Sequence, residues 1–67
     1  MGATVRRARV MQYLIWHEAE YGEPATIHGV RRALGCSVGQ VADTLADLAR
    51  DGAIGKARGR QVGRVEA

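Results

Sequence analysis

Cysteine is almost missing from this 67-residue chain: Cys36 stands alone, so no internal disulfide can form. Histidine occurs only at His17 and His28, and two distant imidazoles with one thiol do not make a four-ligand metal staple. No metal and no cofactor are expected. The chain has no apolar run of about 18 residues, which excludes a membrane-spanning helix. Its basic N-terminus is not followed by a clean apolar stretch with a small-residue cleavage site, so no signal peptide is read. Glycine loops of phosphate-binding spacing, a nucleophile–base pair and carboxylates converging on a pocket are all absent, so the chain is not expected to be an enzyme. Lysine is scarce too, Lys56 standing against nine arginines. These absences leave an expectation of one soluble, cytoplasmic domain. A chain this short buries only about 60% of its unfolded surface. Its stability therefore has to come from helix packing, with a second copy of the chain as a candidate contributor.

What is present is patterned. The formal net charge is +3, a mild bias compatible with nucleic acid. Its distribution is more informative. Arg6, Arg7 and Arg9 form a basic N-terminal cluster, Arg31 and Arg32 a second, and Lys56, Arg58, Arg60 and Arg64 a third. Glu18, Glu20 and Glu23 lie between the first two, and Asp43, Asp47 and Asp51 between the second and third.

Periodicity and stop signals predict three helices. The first spans about 4–21, with Thr4 as a cap, Gly22 as the stop and Pro24 forbidding continuation. At 100° per residue, Val10, Tyr13, Leu14, His17 and Tyr21 share a face expected to be core. Met11, Ile15 and Ala19 form a second apolar stripe with Ala8, and Trp16 lies elsewhere again. Such a helix is apolar around most of its circumference, unusual for the surface of a small monomer. Met11, Ile15, Trp16 and Ala19 are accordingly the candidate contacts of a homodimer. The second helix spans about 27–34 behind Thr26 as N-cap, with Ile27, Val30 and Leu34 inward. Gly29 within it is either an exposed, tolerant site or a point of close approach. Gly35-Cys36-Ser37 makes a turn, and Ser37 with Gln40 forms a capping box for a third helix over about 38–50. Val41, Leu45 and Leu48 face inward there. The remainder, about 53–65, is expected to form a two-stranded hairpin with Arg58-Gly59-Arg60 at its tip and Ile54, Val62 and Val65 as inward anchors. The fold class is mainly α with a small β-hairpin, in the order α-α-α-β-β.

A helix, a glycine turn and a second helix make a helix-turn-helix, whose second helix enters the DNA major groove. Ser37, Val38, Gly39, Gln40, Asp43 and Thr44 are the candidate groove contacts. Gln40 can read adenine through its amide, Asp43 can accept from cytosine N4 and Val38 can touch a thymine methyl; equally, Ser37 and Gln40 are spent on the cap. Arg58 and Arg60, with Lys56 and Arg32, are candidates for phosphates or a narrow minor groove. The plainer reading is a solvated, basic hairpin. Arg31 has carboxylate pairing as its alternative role. Cys36 reads as a small hydrophobe and His17 as a packed histidine. Asp43, Asp47 and Asp51 form a stripe on the third helix that repels phosphate. Such a stripe either lies beyond the duplex or serves a basic protein partner.

From Val10 to Ile54 the chain resembles the N-terminal winged-helix domain of the LexA repressor family. The matching positions are Gly22, Pro24, Thr26, Val30, Leu34 and Gly35, then Leu45, Leu48, Ala49, Arg50, Gly52 and Ile54. Spacing agrees without gaps from Gly22 to Gly35, and a one-residue shortening near 36–40 restores it afterwards. The broader winged-helix regulators, MarR-like and phage repressor domains among them, are also similar. The resemblance implies a winged helix-turn-helix that binds double-stranded DNA as a prokaryotic or phage transcription regulator, nucleoid-associated and homodimeric. The self-cleaving domain of that family has no counterpart here, and the altered turn means that operator preference does not transfer. The alternative is a winged-helix module for protein–protein interaction in a larger assembly, through the acidic face of the third helix.

Overall fold

The computed structural model describes residues 1–66 and is a small, mainly helical three-helix domain. Helix α1 is Ala3–Tyr21, α2 is Ile27–Leu34 and α3 is Val38–Arg50. Each helix packs against both others.

Local chemistry explains most of the boundaries. Thr26 caps α2, its hydroxyl oxygen accepting from the Gly29 N–H at 3.1 Å. Gly35 stops that helix with φ 70°, a left-handed conformation that costs a glycine nothing, and donates its N–H to the Arg31 carbonyl. The α3 capping box is complete: Gln40 N–H donates to Ser37 Oγ and Ser37 N–H to Gln40 Oε1, both at 3.1 Å. The start of α1 differs from expectation. Gly2 is its N-cap, with no side-chain cap. The Gly2 carbonyl accepts from Arg6 N–H at 2.9 Å, which places Thr4 inside the first turn.

The core consists of Val10 and Leu14 from α1, Ala25 before α2, Val30 from α2, Val41 and Leu48 from α3, and Ile54 and Val62 beyond it. Met11, Tyr13, Ile27, Leu34, Leu45 and Val65 pack around them half-buried. Two positions bear on the sequence expectations. Tyr21 is not core but 61% exposed; the last turn of α1 runs past the elements that would cover it, so its ring rests instead on His17 and Trp16, with centroids 4.7 and 5.8 Å away. Gly29 is a point of close approach: a β-carbon there would lie 3.4 Å from the Tyr13 hydroxyl and 3.1 Å from Thr26 Oγ1.

The expected two strands do not form as strands among the described residues. The C-terminal arm, 53–66, doubles back through isolated antiparallel bridges, Ile54 with Val65 and Arg58 with Gln61. Glycines at 55, 59 and 63 deprive the arm of the side-chain pairs that stabilise a continuous ladder. A third bridge joins Gln61 to Thr26. Val62 N–H donates to the Ala25 carbonyl at 2.9 Å and Ile27 N–H to the Arg60 carbonyl at 3.2 Å. The arm is thus seated on the segment before α2. Glu18, half-buried on α1, secures its end by accepting the Val65 N–H at 2.6 Å.

Candidate functional site

Helix α2 is joined to α3 by the short turn 35–37, and the N-terminal turn of α3 is exposed. Ser37, Val38, Gly39, Gln40 and Asp43 are all exposed there. Gln40 is spent on the cap, because its amide oxygen holds the Ser37 N–H. A bidentate pair with adenine would require breaking that bond. Thr44 is corrected outright: it is 6% exposed, and its hydroxyl donates to the Gln40 carbonyl at 2.9 Å, a back-bond that satisfies a buried hydroxyl within the helix. Thr44 lies on the core side beside Val41 and Leu48. In its place α3 presents Ala42 and Ala46, exposed small residues that carry no chemistry by which a sequence pattern could single them out.

The aspartate stripe is largely answered from within the chain. Asp51 pairs with Arg7 of α1, and Asp47 with Arg50 at 2.9 Å. Asp43 and Asp47 line a cleft with Arg6, Arg7 and Thr44. The Arg7 hydrogen bond, helped by the charges of Arg7 and Arg50, holds the Asp51 carboxyl below its ordinary value. A depressed carboxylate stabilises the fold above its unfolded pKa of about 4, and that contribution is lost as pH falls through the lower folded value. Asp51→Asn is therefore expected to lower the melting temperature slightly at pH 7 in low salt. The difference from the parent should shrink in high salt and vanish below the folded pKa. An offset that persists in acid would mean that Asp51 acts through something other than its charge.

The basic residues of the C-terminal arm behave differently. Lys56, Arg58 and Arg60 are exposed and make no ion pair among the described residues. Arg58 and Gln61 exchange backbone hydrogen bonds at 3.2 and 2.9 Å. This closes a two-residue turn in which Gly59 takes the left-handed φ of 59°. Arg58 thus stands at the entry of a tight tip and Arg60 within it. Lys56, Arg58 and Arg64 line a cleft with Pro24, Gly55, Gln61 and one carboxylate, Glu66, so the hollow carries more positive than negative charge. Arg64 also reaches Glu18 at 3.5 Å, a contact between distant positions that no local pattern signals. Arg32 is exposed, while Arg31 is half-buried and pairs with no carboxylate among the described residues.

On α1, Ile15, Trp16 and Ala19 are exposed. Met11 is corrected: it is half-buried and packed against the core, on the flank of the helix that meets its neighbours. His17 is half-buried, its Nδ1 3.0 Å from the Glu23 carbonyl. Cys36 is half-buried against the core. Among the described residues no helix is long and apolar enough to cross a membrane. No family model, no curated protein and no solved structure matches the chain.

Proposed function

We propose that this chain is a winged helix-turn-helix protein that binds double-stranded DNA in the cytoplasm, at the nucleoid, as a transcription regulator. In this reading the bridged C-terminal arm is the wing. The observation that carries the proposal is the division of charge. The aspartates Asp47 and Asp51 are matched by Arg50 and Arg7, whereas Lys56, Arg58 and Arg60 stand exposed and unpaired among the described residues. The resemblance to the LexA-type winged helix supports the same reading. Val38, Gly39, Ala42 and Ala46 are small enough to let α3 lie deep in a major groove, where the apolar ones meet thymine methyl groups and Asp43 accepts from cytosine. Arg58 and Arg60 hold the phosphates or enter the minor groove. With so few groove-facing hydrogen-bonding groups, most of the affinity is electrostatic.

The test is fluorescence anisotropy with labelled duplexes of several sequences over a salt series. Affinity is expected to fall steeply with salt. Arg58→Ala with Arg60→Ala should weaken binding on every sequence and reduce the logarithmic salt slope by about 1 for each phosphate no longer neutralised. Absence of binding to any duplex at low salt would sink the proposal. That result would favour the second reading, a protein-interaction module. Its specific support is the exposed run Gly39, Ala42, Ala46 and Ala49, on which another helix can pack closely.

A further inference from the structure

Helix α1 is apolar on two opposite sides. Val10 and Leu14 are fully buried. On the far side Val5, Ala8, Gln12, Ile15, Trp16 and Ala19 are all exposed and fall within a sector about 100° wide. Val5, Ile15 and Trp16 are each about half exposed, at 49%, 51% and 49%, and only Gln12 interrupts them with a polar group. Val5, Ala8, Gln12, Ile15 and Ala19 follow the alternating three- and four-residue steps of a helix–helix seam.

We infer that this face pairs with α1 of a second copy, antiparallel, about a twofold axis at Gln12. The pattern is self-complementary in that orientation. Val5 meets Ala19 of the second copy, Ala8 meets Trp16, and Gln12 meets itself. A primary amide both donates and accepts, so two glutamines on a dyad satisfy each other. An isologous contact of this kind closes at two copies. Charge selects the orientation. The N-terminal half of α1 carries Arg6, Arg7 and Arg9, and its C-terminal end carries Glu18, Glu20 and, just beyond, Glu23. Arg7 and Glu18 have partners inside the chain, but Arg9, Glu20 and Glu23 are exposed without one among the described residues. An antiparallel pair sets the basic half against the acidic half and opposes the helix dipoles; a parallel pair sets like charge against like. Arg9 lies on the same edge of the seam as Trp16, so its guanidinium comes beside the indole of the second copy, a favourable cation–aromatic contact. The indole is held in place by Tyr13 and Tyr21, with centroids 5.7 and 5.8 Å away. A single helix pair of this length sits near the lower limit for a specific interface, about 1,000 Å² in all, so association is expected in the micromolar range.

The inference does not rest on DNA binding, and its test contains no DNA. Sedimentation equilibrium of the full chain is expected to show a monomer–dimer equilibrium. Ile15→Lys, which removes an apolar contact and sets a second cation level with Arg9 of the second copy, should raise the dissociation constant more than about tenfold while leaving the circular dichroism spectrum unchanged. Orientation is read by cross-linking in a Cys36→Ser background. A mixture of Val5→Cys and Ala19→Cys chains should give the mixed disulfide dimer in preference to either chain alone. A monomer at the highest concentration reached, association that survives Ile15→Lys, or preferential self-linking of Val5→Cys would each overturn the inference.

Discussion

Gly63→Ala is expected to leave the chain without a cooperative fold at room temperature. Gly63 is buried, and a β-carbon there would overlap the Gly55 carbonyl group and lie 3.1 Å from the Gly55 nitrogen. The obstacle is backbone, not a movable side chain. It is also held in place: Gly55 N–H donates to the Arg64 carbonyl at 2.7 Å, and Ile54 is bridged to Val65. The arm can admit a methyl group only by parting these two passes of chain. Doing so withdraws Ile54 and Val62, each 4% exposed, from the core. Burial of one such side chain is worth about 1.5–3 kcal/mol, and a domain of this size has a total stability of only about 3–5 kcal/mol. Gly55→Ala is the control, because its new β-carbon would meet mainly the tip of the Glu66 carboxylate, which can swing away. Thermal unfolding followed by circular dichroism separates the two variants. A Gly63→Ala protein that melts within a few degrees of the parent would contradict the close approach of residues 55 and 63.

Leu14→Ala is expected to be nearly as damaging, and Ile15→Ala, one residue away, close to neutral. Leu14 has no exposed surface and is among the largest fully buried side chains of the core. Truncating a buried leucine costs about 2–5 kcal/mol, from the forfeited transfer energy and the cavity left behind. That range matches the whole stability expected of the domain, so the variant should be largely unfolded in water at 25 °C. Ile15 is half exposed, and the atoms removed from it face mainly solvent. Urea unfolding should be measured in dilute solution, below the concentration at which chains associate, so that any dimer does not add to the apparent stability. Equal midpoints for the two variants would mean that α1 is rotated from the orientation described.

The elements that were legible in the sequence share a cause. Thr26, Gly35, and the Ser37–Gln40 box act on groups no more than four residues away, so the bounds of α2 and α3 follow from short strings of sequence. What was not legible depends on rotation or on distance. Thr44 and Leu45 are adjacent, and periodicity alone does not say which turns further inward; the packing of α3 on α1 buries Thr44 and leaves Leu45 half-covered. Ala25 carries no strong signal, yet it is 1% exposed, because the returning arm closes over it through the Val62 hydrogen bond. The candidate site divides in the same way. The tip arginines could be named from the glycine between them. That Thr44 is buried, and that Gln40 is taken up by its cap, became visible only in the folded chain.

By itself, then, the sequence determined three helices, their stops, the basic tip and the two-sided apolar character of α1. Each of these is written in composition or in spacings of a few residues. Tertiary structure alone decided which charges remain free. Asp43, Asp47 and Asp51 read as an open acidic stripe until Arg7, from the other end of the chain, is brought to Asp51. It also decided that Gly63 has no room for a side chain and that Glu18 secures the end of the arm. These pairings join segments distant in sequence, or passes of backbone that meet only after packing. Local propensity carries no record of them, since their energy exists only once the core has brought the segments together.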